Sequence, residues 1–321
     1  MSGDPAAAKD EDMDALPPWE AWRRGLKRAS RPMAPVQWYG GKGNLLGFIR
    51  PILAGIEADL YCEPYFGAGS AFFSLPRRPV EVINDLDQRL VNLYRVLQDP
   101  ERCAALVHRL TFTLYSRAEF IRALQSRDDT DPVTAAWAMY TAQNQGFGGK
   151  AASAGNWGRA FPPKNSVPRR WCSRLRLLSA WHDRLMHAYL DCRDACDVIR
   201  TWDSPRTLFY LDPPYPCATR AKGSRAVYRF EADDTHHQAL LALVPQLQGR
   251  VVLSSYPNAA YDRALAGWQR RERQTTCHAA GRVKGSKLKG TGAVWANVPR
   301  TEVLWLNPAA AAACKAAPGI L

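Results

Sequence analysis

Short apolar runs alternate along the chain with segments whose apolar residues recur at helical spacing. The runs predict strands at Ala58–Pro64, Val80–Ile83, Thr207–Leu211, Val251–Ser254 and Glu302–Leu306. The periodic segments predict helices at Leu86–Leu97 and Asp234–Leu247. Strands that alternate with helices indicate an α/β fold with a mostly parallel, doubly wound sheet. In such a sheet, ligands lie at the carboxyl ends of the strands.

Residues 101–183 interrupt this alternation. They lack strong strand signals and carry helical patterns such as Ala118–Leu124 and Pro132–Tyr140. We therefore predict a mostly helical insert within one sheet domain. The predicted organisation is an N-terminal tail at 1–34, a sheet domain at 35–100 and 184–307, the insert at 101–183, and an Ala-rich, frayed C-terminal tail at 308–321.

The 321-residue chain has a formal net charge of +13, which favours a polyanionic partner. No apolar run is long enough to span a bilayer, and no long basic amphipathic stretch points to a membrane partner. The acidic first residues lack the apolar segment of a secretory signal, so we expect a cytoplasmic protein. Nucleic acid is therefore the favoured partner, and a protein that is merely basic is the alternative.

The predicted insert supplies positive charge without negative charge. No Asp or Glu occurs from Pro132 to His182, and glycines and aromatic residues are interspersed among its cations. Such a mixture suits a surface that faces nucleic acid. The cations proposed to contact DNA are Lys150, Arg159, Arg169 and Arg170. The alternative interpretation is an ordinary helical cap with a solvated basic face.

The eight cysteines are scattered and form no C-x-x-C pair. Cys192 and Cys196 would share one face of a helix, but no matching His or Cys pair lies nearby to complete a zinc site. We therefore expect free thiols in a reducing cytoplasm and no metal.

The segment Asp212-Pro213-Pro214-Tyr215 follows a predicted buried strand and carries the strongest chemical signal. The exocyclic amine of adenine is a poor nucleophile, because its lone pair is delocalised into the ring. A carboxylate from Asp212 and the carbonyl of Pro213 can both accept hydrogen bonds from that amine, which favours a tetrahedral nitrogen. The prolines stiffen the loop, and Tyr215 can stack on a base flipped out of its duplex. A proline-stiffened turn without chemistry is the alternative.

Three further segments fit a ligand-binding edge. Phe66-Gly67-Ala68-Gly69 follows the first strand, and its glycines allow a ligand to approach the backbone. Asn84-Asp85 follows the second strand and can accept hydrogen bonds from ribose hydroxyls, as in dinucleotide-binding folds, although G-x-G-x-x-G is absent. Trp38-Tyr39-Gly40-Gly41-Lys42 offers an aromatic pair and a lysine that can meet a carboxylate.

Taken in order, these four segments resemble the DNA adenine methylase (Dam) family, the alpha-order group of N6-adenine-specific DNA methyltransferases. That family has a W-Y-G-G-K-like segment, F-x-G-x-G, an N-D segment, a target-recognition insert and D-P-P-Y. The closing Pro299–Asn307 looks like the family's last strand, so the resemblance covers roughly residues 35–307. It implies a Rossmann-like methyltransferase sheet, S-adenosyl-L-methionine as cofactor, double-stranded DNA as substrate, and in-line methyl transfer to adenine N6 without a metal.

The resemblance also implies roles for individual residues. Asp212, Pro213, Pro214 and Tyr215 would hold the target amine and base. The positions implied for cofactor binding are Trp38, Tyr39, Lys42, Phe66, Gly67, Gly69, Asp85 and Asp212, with Asp194 as a looser match.

The insert departs from the family's pattern of N-R-x-x-x-N-G followed by a G-x-F-N-V-P-like stretch. Only fragments occur, at Asn144–Lys150 and Gly155–Arg159, so the recognised sequence stays open and GATC is not assumed. An RNA amine methyltransferase and a catalytically inactive DNA-binding relative remain alternatives. A cognate restriction endonuclease is a compatible partner but is not required.

Overall fold

A computed structural model describes residues 34–149, 151, 153–158, 167–216, 219, 230, 232–277 and 298–315. Within these residues, seven strands form one sheet in the order β3-β2-β1-β4-β5-β7-β6. The strands are β1 Leu60–Glu63, β2 Val80–Asn84, β3 Tyr189–Asp191, β4 Thr207–Leu211, β5 Arg250–Ser255, β6 Gln269–Cys277 and β7 Val298–Leu306. Strands β1 to β5 pair in parallel, and β7 is antiparallel to both of its neighbours.

The strand order reverses between β1 and β4. The chain passes outward from β1 to β2 and β3, then returns to pair β4 with the other side of β1. Such a reversal opens a crevice at the carboxyl ends of the two central strands. The topology confirms the predicted doubly wound α/β sheet and places the loops after β1 and β4 side by side.

Twelve α-helices accompany the sheet in the described part of the chain. They are α1 Leu46–Gly55, α2 Ser70–Ser74, α3 Gln88–Gln98, α4 Pro100–Thr111, α5 Arg117–Gln125, α6 Pro132–Gln145, α7 Val167–Leu175, α8 Leu178–Leu185, α9 Ala195–Trp202, α10 Asp234–Leu243, α11 Ala259–Ala264 and α12 Pro308–Ala313. Most begin after a side chain that accepts a backbone hydrogen bond and so replaces a missing helical partner. These capping residues are Asp87, Asp99, Ser116, Asp131, Asp194, Asp233, Asn258 and Asn307. No helix among the described residues is both long and apolar enough to cross a membrane.

The predicted strands and helices are confirmed with shifts at their ends, and two strands were missed. The β3 strand has three residues, too few for a visible pattern. Among the described strands, β6 is an edge strand with the sequence QRRERQTTC, and its pairing partner is β7. An edge strand packs on one neighbour, so it can be polar and does not read as a strand. The predicted fraying from Pro308 is wrong for its first six residues, because Asn307 caps α12 and Ala310 is buried.

The predicted insert is helical, and α6 runs through its centre. Nearly every residue of α6 from Ala135 to Ala142 is buried, as expected for a helix surrounded by others. The same hydrophobic cluster contains Trp137 of α6, Trp181 of α8, and Phe72 and Tyr94 beside the sheet. The insert and the sheet therefore share one core, which fixes the insert relative to the sheet edge. The limits of the insert at 101 and 183 remain a prediction.

A buried ion pair joins α8, which spans the predicted end of the insert, to the sheet. The guanidinium of Arg184, on α8, lies 2.6 Å from Oε1 of Glu81 on β2, and a second contact joins the same side chains. The guanidinium also lies 4.0 Å from the centre of the Phe72 ring. Both charged side chains are almost fully buried, so each depends on the other for compensation.

Candidate active site

Asn84 joins the loops that follow the first three strands. Its side-chain amide donates to the carbonyl of Pro64 after β1, at 2.9 Å, and to the carbonyl of Arg193 after β3, at 3.0 Å. Its side-chain oxygen accepts a hydrogen bond from the Arg193 backbone N–H at 2.9 Å. Asn84 is buried, so these bonds form away from water and hold three ligand-edge loops at fixed positions.

The glycine loop after β1 requires glycine at two positions. Gly67 has a φ of +49° and Gly69 a φ of +66°, in the left-handed region where a side chain is strained. A Cβ at Gly67 would lie 2.9 Å from the Trp38 indole nitrogen, and one at Gly69 would lie 2.3 Å from the Phe66 ring. Trp38 and Phe66 therefore pack directly against the bare backbone of this loop.

Asp85 links the glycine loop to the loop after β2. Its carboxylate accepts hydrogen bonds from the backbone N–H of Gly67 at 2.7 Å and of Asp87 at 2.8 Å. Burial raises the pKa of Asp85 to about 6, although these two backbone donors oppose the rise. Each carboxylate oxygen keeps a further lone pair, so the half-buried group can still accept from a ligand hydroxyl.

Lys42 and Asp212 form the central ion pair of the site. Lys42 lies in a 3₁₀ turn, Lys42–Leu45, and its ammonium is 2.7 Å from the Asp212 carboxylate. Burial alone would lower the pKa of Lys42, but the carboxylates of Asp212 and Glu302 outweigh it and raise that pKa. Burial also raises the pKa of Asp212 to about 6, and Lys42 opposes this rise. Asp212 is therefore mostly ionised at neutral pH, and 19% of its side chain stays exposed.

The Tyr215 ring is held at both its face and its hydroxyl. The Lys42 ammonium lies over one face, 4.6 Å from the ring centre. The hydroxyl donates to the Glu302 carboxylate and lies 2.8 Å from the Ser254 hydroxyl. Tyr256 packs edge-to-face with the same ring, at 4.7 Å between centres. Tyr215 therefore has one orientation, fixed by several neighbouring elements.

Besides Asp212 and Glu302, a third carboxyl group lies close to the Lys42–Asp212 ion pair. Glu63, the last residue of β1, is buried, and its Oε2 accepts a hydrogen bond from the Tyr61 hydroxyl at 2.9 Å. Burial raises the pKa of Glu63 to about 8, and the negative charge of Asp212 contributes to the rise against the Tyr61 hydrogen bond. At neutral pH, Glu63 is therefore mostly protonated and adds little negative charge.

The structure brings together most of the residues predicted to form the site. Pro213 is buried and Pro214 half-buried beside Asp212, and Tyr39 is half-buried in the segment that leads to Lys42. Asp194 is exposed and caps α9. It reaches the glycine loop indirectly, because its carboxylate lies 3.9 Å from His236, whose other ring nitrogen is 2.7 Å from the Tyr65 hydroxyl.

The structure describes two of the four residues predicted to contact DNA. Arg169 and Arg170 are exposed on α7, whereas Lys150 and Arg159 lie outside the described residues. The Asn144-Gln145 pair at the start of the predicted recognition segment is buried. Asn144 accepts from the backbone N–H of Gln37, and Gln145 donates to the Leu114 carbonyl. Both amides therefore make their hydrogen bonds within the protein.

Sequence reasoning missed Glu302 and Ser254 as parts of the site. Ser254 lies near the carboxyl end of β5, beside the Asp212 loop. Glu302 lies in the middle of β7, which runs antiparallel to β5, and directly precedes the residues that pair with β5, so it comes to the ligand edge. The available signal was an acidic residue inside an otherwise apolar run, Glu302–Leu306, because a buried charge needs a specific partner.

The comparison with family models decides which family this is. The model of the D12 class N6 adenine-specific DNA methyltransferases matches residues 38–272, from Trp38 to beyond the Asp212 loop. The chain belongs to this D12 class. Its glycine loop, acidic Asp85 and Asp212 loop all fall inside the matched range.

A curated relative adds a shorter match. The chain is 36% identical over 73 residues to the Type II methyltransferase M1.LlaDCHI of Lactococcus lactis subsp. cremoris. The match covers 22% of this chain and 25% of that protein, so it spans only about a quarter of the relative. The D12 class assignment therefore rests on the longer family match.

Proposed function

We propose that this D12-class protein transfers a methyl group from S-adenosyl-L-methionine to the N6 amine of adenine in double-stranded DNA. The carrying observation is the largely buried but accessible Asp212 carboxylate, paired with Lys42 beside the glycine loop. A hydrogen-bond acceptor at this edge of the sheet can bind the weakly nucleophilic amine and favour its tetrahedral form. The contacts that fix the Tyr215 ring support this site as the one that receives a flipped base.

Asp212 and the Pro213 carbonyl are the proposed acceptors for the two N6 hydrogens. The pKa of Asp212, about 6, leaves the group ionised at neutral pH, so it accepts and does not donate. Pro213 and Pro214 cannot donate backbone hydrogen bonds, and their rings restrict the loop. The acceptors are thus preorganised, and little reorganisation is needed during transfer.

Tyr215 is proposed to stack on the target adenine. A base must leave the duplex to reach this loop, at a cost of a few kcal/mol that stacking partly offsets. Because the Lys42 ammonium covers one face of the Tyr215 ring, the base would stack on the other face. The tethered hydroxyl prevents the ring from turning away as the base enters.

The glycine loop and its neighbours fit the proposed cofactor. Trp38 and Phe66 already fill the space that side chains at Gly67 and Gly69 would need, so bare backbone faces the ligand. Asp85 retains lone pairs for ribose hydroxyls, and Tyr39, Lys42 and Asp194 complete the proposed contacts. Held by these residues, S-adenosyl-L-methionine would supply a sulfonium-bound methyl group to N6 and would leave as a neutral thioether. The surplus amine proton then passes to solvent.

The remaining functions are also proposals. We propose that residues 101–183 recognise the target, with Arg169 and Arg170 on the exposed face of α7 contacting phosphate or base edges. The relative's Type II name supports a role beside a restriction endonuclease. The cytoplasmic location expected from the sequence is likewise a proposal.

Nucleoside mass spectrometry tests the proposal. Purified protein is incubated with unmethylated duplex DNA and S-adenosyl-L-methionine, and the digested DNA is analysed for N6-methyladenine. Asp212→Asn keeps the side-chain shape and removes the charge, so we expect a loss of methyl transfer on the order of 10²–10³-fold. Asp197→Asn, at an exposed carboxylate paired with Arg200 on α9, is the matched control and should keep wild-type activity.

Two outcomes would contradict the proposal. Methylation of RNA with unmarked DNA would make the protein an RNA amine methyltransferase. DNA binding with no methyl transfer by the wild type would make it an inactive relative.

A further inference from the structure

Glu302 is a buried carboxylate whose described partners all belong to the proposed active site. It accepts hydrogen bonds from the hydroxyls of Tyr215 and Ser254, the latter at 2.6 Å. Its Oε1 also lies 3.8 Å from the Lys42 ammonium, which is bound to Asp212. One carboxylate therefore touches the residue proposed to stack on the base and the cation proposed to balance the acceptor.

The sheet topology explains how Glu302 reaches these groups. Ser254 pairs with Leu304 in the antiparallel ladder between β5 and β7, so Glu302 lies further toward the ligand edge. The Asp212 loop follows β4, which neighbours β5 on the other side. Side chains from β5, β7, the β4 loop and the Lys42 turn thus converge on one carboxylate.

A carboxylate is an unfavourable choice for packing alone at this position. Glu302 is 2% exposed, and burying a charge costs several kcal/mol unless partners compensate. The residues that follow it, Val303–Leu306, are buried and apolar, so an apolar side chain would suit the strand equally well. The charge at Glu302 is better explained by what it does to its three polar neighbours.

We propose that Glu302 is a positioning residue for methyl transfer: it fixes the Tyr215 ring through its hydroxyl and, with its own negative charge beside the Lys42–Asp212 pair, tunes the charge state of Asp212. This inference rests on the proposed function of the Asp212 loop. Glu302 itself touches neither the base nor the methyl group.

The charge effect has a definite sign. The negative charge of Glu302 opposes ionisation of Asp212 and so contributes to its raised pKa. The other titratable groups that act electrostatically on, or are affected by, Asp212 are Lys42, Glu63, Tyr210, Tyr215 and Tyr261. Removing only the charge of Glu302 leaves those groups in place, so Asp212 should ionise at lower pH.

Glu302→Gln tests this charge effect, because the amide oxygen can still accept from Tyr215 and Ser254. Single-turnover rates of N6-methyladenine formation are measured with wild type and variant from pH 5 to 9. We expect the acid limb of the profile to move to lower pH by on the order of one unit. The matched control is Glu272→Gln, at an exposed carboxylate of β6 paired with Arg270, which should leave the limb unmoved.

A double-mutant cycle tests the positioning through the hydroxyl. If Glu302 acts through that bond, Tyr215→Phe and Glu302→Ala should each lower kcat, and the double variant should be no slower than the slower single variant. Ser254→Ala, a smaller change to the same network, should lower kcat less. An unmoved acid limb in Glu302→Gln, or fully additive losses in the cycle, would overturn the inference. Wild-type activity in the same assay separates that failure from a failure of the proposed function.

Discussion

Replacing Lys42 with methionine tests the central ion pair. Methionine keeps much of the apolar stem and removes the ammonium that lies 2.7 Å from Asp212 and 3.8 Å from Glu302. The two carboxylates then face each other without a cation between them. Protonation of either carboxylate relieves this repulsion. When Asp212 takes up the proton, it no longer serves as a double acceptor.

The size of the effect follows from the geometry. Opposite unit charges about 4 Å apart attract by about 4 kcal/mol at an effective dielectric constant of about 20, and desolvation offsets part of this. A neighbouring cation typically lowers a carboxyl pKa by about 1–3 units. Without Lys42, the pKa of Asp212 should rise from about 6 by that amount. For a rise of about two units, only about a quarter of Asp212 is ionised at pH 7.5, a roughly four-fold loss of rate.

The assay is the pH dependence of single-turnover methyl transfer, with cofactor and DNA both saturating. Saturation removes any separate effect of Lys42 on cofactor binding. We expect the acid limb of Lys42→Met to lie about 1–3 pH units higher and the rate to recover in part at alkaline pH. Lys42→Arg retains the charge and should keep the limb near its wild-type position. A limb that stays near pH 6 in Lys42→Met would refute the assigned role of this ion pair.

Three further changes test the loop, the insert and the scaffold. Gly69→Ala should lower the melting temperature and weaken cofactor binding, because its φ of +66° and a nearby phenylalanine ring leave no room for a methyl group. A cofactor dissociation constant that titration calorimetry finds unchanged would contradict this. Replacing Arg169 and Arg170 with alanine should reduce the salt slope of DNA binding by about 0.9 for each phosphate that the protein no longer neutralises, and an unchanged slope would exclude them from the interface. Arg184→Met should lower the free energy of unfolding by about 3–5 kcal/mol in denaturant titrations, and adding Glu81→Leu should restore much of the stability.

Elements with strong local patterns could be predicted from the sequence. The β4 strand, Thr207–Leu211, was predicted with its observed ends, because all five of its residues are buried and the Asp212 loop follows at once. The start of α3 was placed two residues early. Asp87 caps that helix, so its own backbone stays outside the helix. A polar edge strand such as β6 has no comparable local signal, because only its pairing with β7 makes it a strand.

The sequence predicted the residues of the site that lie in local motifs, but not the partners that only the fold brings to them. The Asp212 loop and the glycine loop each carry a local motif, so their residues could be named in advance. The partner of Lys42 could not, because residues 42 and 212 meet only through the tertiary fold. Glu302 was missed for a related reason: its proposed role depends on an antiparallel strand, whose middle residue comes to the edge where the parallel strands end.

The balance of charge around Lys42 bears on catalysis as well as on structure. One ammonium faces the carboxylates of Asp212 and Glu302, while Glu63, with a pKa of about 8, is mostly protonated at neutral pH. The cluster therefore carries about one excess negative charge. Positive charge develops on N6 as the new bond forms, and a fixed negative charge in a water-poor site stabilises it strongly. In the proposed mechanism, Asp212 would apply this charge at hydrogen-bond distance and Glu302 would add to it without contacting the base, so Glu302→Gln should change the pH profile.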